Sequence, residues 1–193
     1  MDLCFFIVLA LGRKGKQNSF LLESDHYSLY TFPMTNPLTS SGHRFPSGTV
    51  TFLFTDIEGS TKLAQQYPEQ WESLRELHHS ILQSAMDTHH GYVFQIIGDA
   101  FCVAFHTARD GLNAAIDAQR ELQNENWGET PIKVRMGIHT GEAEKRENDY
   151  RGYLTLARVQ RVMSAAYGRQ VLLSNTTAEL VRGQLPEESL FEI

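Results

Sequence analysis

The stretch "TFLFTDIEGSTKL", residues 51 to 63, carries an apolar, β-branched run up to Asp56 and then turns through Gly59, Ser60 and Thr61. A carboxylate at a strand end, facing a loop that opens a helix, can hold a divalent cation through hard oxygen ligands. The helix N-terminus beside it can take the phosphates that such a cation brings. A plain Asp turn is the other reading of this segment alone. A second acidic turn follows later, where "YVFQII" and "AFCVAF" flank Gly98 and Asp99. His78, His79, His89 and His90 also invite a metal reading. Their adjacent pairs lack the i, i+4 spacing that two ligands on one helix want, so they read as surface or helix-end residues.

The elements that must position the two aspartates follow from hydrophobic period. A strand is expected over 49–55, then a helical region interrupted at Pro68 and closed by Gly91. Its rough apolar face is Trp71, Leu74, Leu77 or His78, Ile81 and Met86. The two apolar runs around the Gly98–Asp99 turn read as a β-hairpin, with Cys102 packed there as a small hydrophobe. Leu112, Ala115, Ile116, Gln119 and Leu122 share a face of the next helix, and Val134, Met136 and Ile138 alternate in the strand after it. "LARVQRVMSAAYG" reads as a helix with a glycine stop, "RQVLLS" as a strand, and "NTTAELVRG" as a short helix opened by Asn or Thr.

The order β-α-β-β-α-β, with an α-β extension, is that of an α+β, ferredoxin-like sandwich. In that topology the first and third strands are antiparallel neighbours. Asp56, ending one, then lies beside Asp99, starting the other, and two carboxylates converge at one sheet edge.

Composition narrows the class. With 193 residues and a net charge of -6, the chain is no polybasic nucleic-acid or membrane binder, and its pI of about 5.7 says the same. Cys4 and Cys102 make no metal or redox pattern, which fits a reducing, cytoplasmic setting. The apolar run from Leu3 to Leu11 is far short of the ~20 residues of a spanning helix. It also lacks the flanks of a signal peptide. Residues 17–48 have no sustained period, and "TNPLTSSGHRFPSG" is rich in Ser, Thr, Pro and Gly. Residues 1–47 are therefore expected to be a leader or linker outside the domain, which occupies 48–193 and is cut short at its C-terminal end.

Taken together, "FLFTDIEGST", "GDAFCVAF", "VRMGIHTGEAE" and "SAAYGRQVLLS" resemble the catalytic domain of class III nucleotidyl cyclases, in particular the bacterial adenylate cyclase group. The resemblance covers roughly residues 48–185, and four motifs in order are far more specific than any one. It implies the nucleotidyl cyclase fold and a dimer, with itself or with a related cyclase domain, whose sites lie between two such domains. It implies conversion of ATP to 3′,5′-cyclic AMP and pyrophosphate in intracellular signalling, with two Mg²⁺ or Mn²⁺ ions per site. Further signalling domains in a longer parent chain are also implied.

Residue by residue, Asp56 and Asp99 match the metal aspartates, with the Ile57 carbonyl completing one shell. The loop Glu58, Gly59, Ser60 and Thr61 offers N–H groups to the phosphates. Gln95 stands where family adenylate cyclases commonly carry a base-recognising Lys, and its partner is Asp149 in "ENDYRG", a polar stretch that also reads as a solvated loop. Asp149 can accept from an adenine amine and would repel a guanine carbonyl oxygen, which favours ATP. Arg161 falls at the transition-state Arg position, while Ala157 occupies the usual Asn position and cannot hydrogen-bond; Thr155 is a possible substitute. Arg158 is expected to pack or pair structurally. The departures at Gln95 and Ala157 keep a second reading open: a cyclase-like nucleotide-binding or dimerisation module, weak or inactive, that regulates a partner domain.

Overall fold

Pro68 begins a helix and divides the helical region in two, because its missing N–H and fixed φ suit a first helical turn. The computed structural model describes residues 6–10, 45–130, 132–147, 149–184 and 190–192. In chain order the elements are β1 (Phe6–Ala10), β2 (Gly48–Ile57), α1 (Ser60–Gln66), α2 (Pro68–Thr88), β3 (Tyr92–Ile97), β4 (Ala100–Phe105), α3 (Ala108–Asn124), β5 (Val134–Arg146), β6 (Asp149–Arg151), α4 (Tyr153–Ser164), β7 (Gln170–Ser174), α5 (Asn175–Val181) and β8 (Leu190–Glu192). The sheet runs β3-β4-β2-β5-β7-β1-β8, with β6 paired to β5. Its β3-β4-β2-β5 part is the ferredoxin-like arrangement, and β7 joins β5 in parallel as the expected extension.

Strand β2 is central and covered on both faces, so its run from Val50 to Phe54 is apolar or β-branched throughout and buried. Leu53 and Ile57 face a core built with Leu82 and Met86 of α2, Leu112 and Ile116 of α3, and Ala178 and Val181 of α5. Val50, Phe52 and Phe54 face the other way, onto Phe94, Tyr150, and Val159 and Met163 of α4. Burying one such phenylalanine contributes about 1.5–3 kcal/mol. Helix α4 seats closely on β5 because residue 137 is glycine: a Cβ there would lie 2.3 Å from the Met163 backbone nitrogen.

The α3 stripe of Leu112, Ala115, Ile116, Gln119 and Leu122 is buried as its spacing predicts, under an N-cap in which the Asp110 N–H donates to the Thr107 hydroxyl oxygen. Elsewhere the structure departs from expectation. On α2 the position expected to hold Leu77 or His78 is taken by His78, which is buried although the histidines were expected at the surface, while Leu77 is exposed. Ser174 caps α5, rather than Asn175 or a threonine. Phe6–Ala10, expected in the leader, pairs antiparallel with β7. Pro46 is buried and its carbonyl accepts from the Tyr150 hydroxyl, so the packed structure also starts before residue 48. Residues 1–5 and 11–44 of the leader lie outside the described residues. Among the described residues no helix is long and apolar enough to cross a membrane.

Candidate active site

Alternation along β2 puts Asp56 on the same face as Phe52 and Phe54, one residue before the strand ends. Antiparallel pairing of β2 with β4 runs through Phe54 and Cys102, which carries the Asp99 end of the hairpin towards Ile57. Asp99 Oδ2 accepts from the Ile57 N–H at 2.8 Å. The two carboxylates are close enough to act on each other. Burial raises the Asp56 pKa, the Arg135 guanidinium opposes that, and the Asp99 charge raises it further.

Arg135 went unread in the sequence. It stands directly across from Asp56 in the β2–β5 register, and its Nε and Nη2 donate to Asp56 Oδ2 at 2.9 and 2.5 Å. The available signal was weak: Arg135 lies between two inward residues, Val134 and Met136, of a strand that the topology sets beside β2.

The donor set suits a hard divalent cation, since it offers carboxylate oxygens whose mutual repulsion a cation relieves. A guanidinium already serves as the positive charge against one of them. Asp56 and Asp99 are the residues that would hold the ion, with Ile57 between them and the loop. Among the described residues no cluster of three or more His, Cys, Asp or Glu side chains is gathered, so the pair has no third side-chain ligand of these kinds.

The loop after Asp56 is tied down more firmly than its sequence suggests. The Glu58 N–H donates to the Lys133 carbonyl and its side chain accepts from the Gly168 N–H. Glu58 is therefore withdrawn from the phosphate-facing set. Gly59 sits at φ +72° and its carbonyl accepts from Lys62 and Leu63 N–H, which leaves the N–H groups of Gly59, Ser60 and Thr61 at the open start of α1.

Gln95 reaches the site's face through a β-bulge. The β3–β4 register slips between Val93 and Gln95, so Gln95 stands opposite Cys102 instead of following Val93 to the far side. Cys102 is buried in the cluster beneath α4, and burial followed by the Asp149 charge pushes its thiol up to about 12. Gln95 and Asp149 are thus brought to the same neighbourhood. Asp149 belongs to the β5–β6 hairpin and not to a loop: β6 pairs Asp149 with Arg146, and Glu147 takes a positive φ between the strands.

Helix α4 supplies the remaining residues, and the structure does not bring them to the carboxylates. Its buried stripe is Thr155, Val159, Val162 and Met163. Arg161 lies outside that stripe, exposed, and among the described residues its side chain forms no ion pair. The charges acting on Asp56 are those of Arg135 and Asp99, not of Arg161. Ala157 precedes Arg161 by one helical turn. Thr155 is no substitute for a missing Asn, because it is buried and its hydroxyl donates to the Glu142 carbonyl at 2.7 Å. Arg158 is exposed, and its charge adds to burial in holding His139 down to about 4.

The histidines divide. His89 bonds Asp117, and His79 meets the Gly98 carbonyl. His78, expected at the surface, is wholly buried beside Phe101.

The chain matches the adenylate and guanylate cyclase catalytic domain over residues 44–192. It is 38% identical over 148 residues to an uncharacterised protein of Mycobacterium tuberculosis, covering 75% of this chain and 49% of that one. It is 32% identical to an adenylate cyclase of Mycosarcoma maydis, covering 72% of this chain and 7% of the other. The chain therefore spans about half, or far less, of the relatives it matches. In fold it is similar to Trypanosoma brucei adenylate cyclase solved in a monomeric state, with a TM-score of 0.61 at 24% identity over 77% of this chain and 81% of that one. With most of its length inside that match, the chain belongs to the adenylate and guanylate cyclase catalytic domain family.

Proposed function

We propose that this chain is an adenylate cyclase, converting ATP to 3′,5′-cyclic AMP and pyrophosphate. The observation that carries the reading is the meeting of Asp56 and Asp99 at one sheet end, with Arg135 against the first. Mg²⁺ or Mn²⁺, two ions per site, would polarise the ribose 3′-hydroxyl and offset the triphosphate charge. Asp56 and Asp99 would hold and orient the ions, and the Ile57 carbonyl would offer a further oxygen. Arg135, which bonds Asp56, would also offer donors to phosphate oxygens near the ion. Gly59, Ser60 and Thr61 present backbone N–H groups to the same phosphates.

In the reaction the 3′-oxygen bonds the α-phosphorus as its hydroxyl proton passes to solvent water, the bond from that phosphorus to the oxygen bridging to the β-phosphorus breaks, and that oxygen leaves with pyrophosphate. Gln95 and Asp149 read the base. A carboxylate accepts from the adenine amine and repels a guanine carbonyl oxygen, which selects ATP. Arg161 answers charge on the α-phosphate, and it does so from a second copy of the chain or a related domain. Its outward placement on α4 supports that division, as do Tyr153 and Leu154, exposed at 77% and 70% on the same helix.

A second reading, a cyclase-like module with little or no turnover, draws on Ala157 and on the commitment of Thr155 to β5. The deciding experiment is cyclic-nucleotide production by the purified chain with ATP or GTP and Mg²⁺ or Mn²⁺, beside Asp56→Ala and Asp99→Ala. Cyclic AMP from the unsubstituted chain, lost in both variants, is the expected result. Metal-dependent ATP binding without product would favour the module.

A further inference from the structure

The hairpin end that carries Asp99 projects past the core. Ile96 and Ile97 are exposed there, and Gly98 holds the first turn position at φ +62°. Two contacts fasten it. On one side the Asp99 carboxylate takes the Ile57 N–H from β2. On the other, helix α2 reaches in with His79, whose Nε2 lies 3.1 Å from the Gly98 carbonyl oxygen. A carbonyl only accepts, so Nε2 carries the hydrogen and donates it.

The imidazole is itself held. It stands edge-on to Phe101, with centroids 5.1 Å apart at 75°, and packs 5.5 Å from the His78 ring. Phe101 is buried, and its N–H donates to the Thr55 hydroxyl on β2. The donor that grips the turn therefore rests on a fixed platform. Burial and then Arg75 lower the His79 pKa, while the Gly98 carbonyl, Asp99 and Glu72 raise it, so the Asp99 charge is felt at this ring.

We propose that His79 is a positioning residue for Asp99: through the Gly98 carbonyl it holds the turn so that the Asp99 carboxylate meets Asp56 across the candidate cation site. The inference rests on the reading of Asp99 as a cation ligand. Its physical content is a division of labour. Without the tether, the Asp99–Ile57 bond must both anchor the turn and leave the carboxylate free to bind. With it, α2 shares the anchoring of the turn, and the carboxylate is left to bind the ion.

The test is direct Mn²⁺ binding by the full chain, read from the electron paramagnetic resonance of free Mn²⁺, with thermal unfolding of each protein alongside. His79→Phe keeps a ring against Phe101 and loses the donor; His79→Gln keeps an N–H of similar reach. Asp99→Asn is the control. His79→Phe is expected to weaken Mn²⁺ binding roughly tenfold, with His79→Gln restoring most of it and Asp99→Asn losing it. Wild-type affinity in His79→Phe, beside loss in Asp99→Asn, overturns the proposal. Equal weakening in His79→Phe and His79→Gln overturns it too, because the donor is then not what matters. Retained affinity in Asp99→Asn, or no binding by the unsubstituted chain, removes the ligand reading and the proposal with it. Should His79→Phe fail to fold, His79→Leu against His79→Gln asks the same question.

Discussion

At the Asp56 end of the sheet, charged and polar groups are met by their own chain. Asp56 has Arg135, Asp99 has the Ile57 N–H, Glu58 has the Gly168 N–H, and the Gly98 carbonyl has His79. The outward side of α4 is built otherwise. Ala157 offers no hydrogen bond, Arg161 is exposed, and Tyr153 and Leu154 leave large apolar surface uncovered. Groups fixed by neighbours before a ligand arrives lose little on binding it, so the first region is preorganised within one chain. On the proposed reading, the second is half of an arrangement that another domain completes.

The largest effect comes from separating the two regions genetically. Arg161→Ala is expected to lower product formation by about 10²-fold or more, and Asp56→Ala by at least as much. Mixed together, the two variants should regain activity, because one mixed dimer pairs an intact carboxylate end with an intact α4. Cyclic-AMP production by the mixture is the measurement. A mixture as inactive as its components would break the comparison and return Arg161 to its own chain's site.

A smaller effect sharpens the second region alone. If residue 157 faces the reacting groups, Ala157→Asn supplies a donor one helical turn before Arg161. Turnover should then rise roughly tenfold, part of the ~2.7–4 kcal/mol that a single transition-state donor can contribute. Initial rates at saturating ATP check it, with KM little changed because the contact acts on the transition state. An unchanged rate would place residue 157 outside the reacting assembly.

Legibility in the sequence follows the same division between local and distant causes. The α3 stripe was readable because helical period is written within one turn or two. The meeting of Asp56 and Asp99 was readable because topology alone sets the first and third strands side by side. Arg135 was not, since its role depends on the register of β5 against β2. Gln95 was placed by motif position, but the bulge that turns it towards Cys102 leaves no mark in an apolar run. Leu77 and His78 are adjacent, and a small change of helix phase decides which is buried. The β5–β6 hairpin is polar in sequence, so Asp149 read as loop. Phe6–Ala10 has strand length and apolarity, but its partner β7 lies at the far end of the chain.

The two regions also rest on different buried histidines, and acid should reach both. His78 lies beside Phe101 under the Asp99 turn, with no hydrogen-bond partner among the described residues on either ring nitrogen, and burial, with His79 beside it, lowers its pKa to about 3. His139 faces α4, where burial and Arg158 lower it to about 4, and its Nδ1 bonds the Ser174 hydroxyl. Each is neutral when folded and titrates near 6.5 when unfolded. Their contribution to stability is therefore complete above pH 6.5 and is lost as pH falls from there towards the folded values. Between pH 7 and 5.5 each histidine should remove about 1 kcal/mol. His78→Phe keeps an aromatic ring against Phe101 and has nothing to titrate, so it should cancel one share and leave that of His139. Urea unfolding at the two pH values measures the difference. A loss in His78→Phe equal to that of the unsubstituted chain would mean that the ring under the Asp99 turn already exchanges protons with water. The carboxylate end would then be less closed than the contacts around it imply.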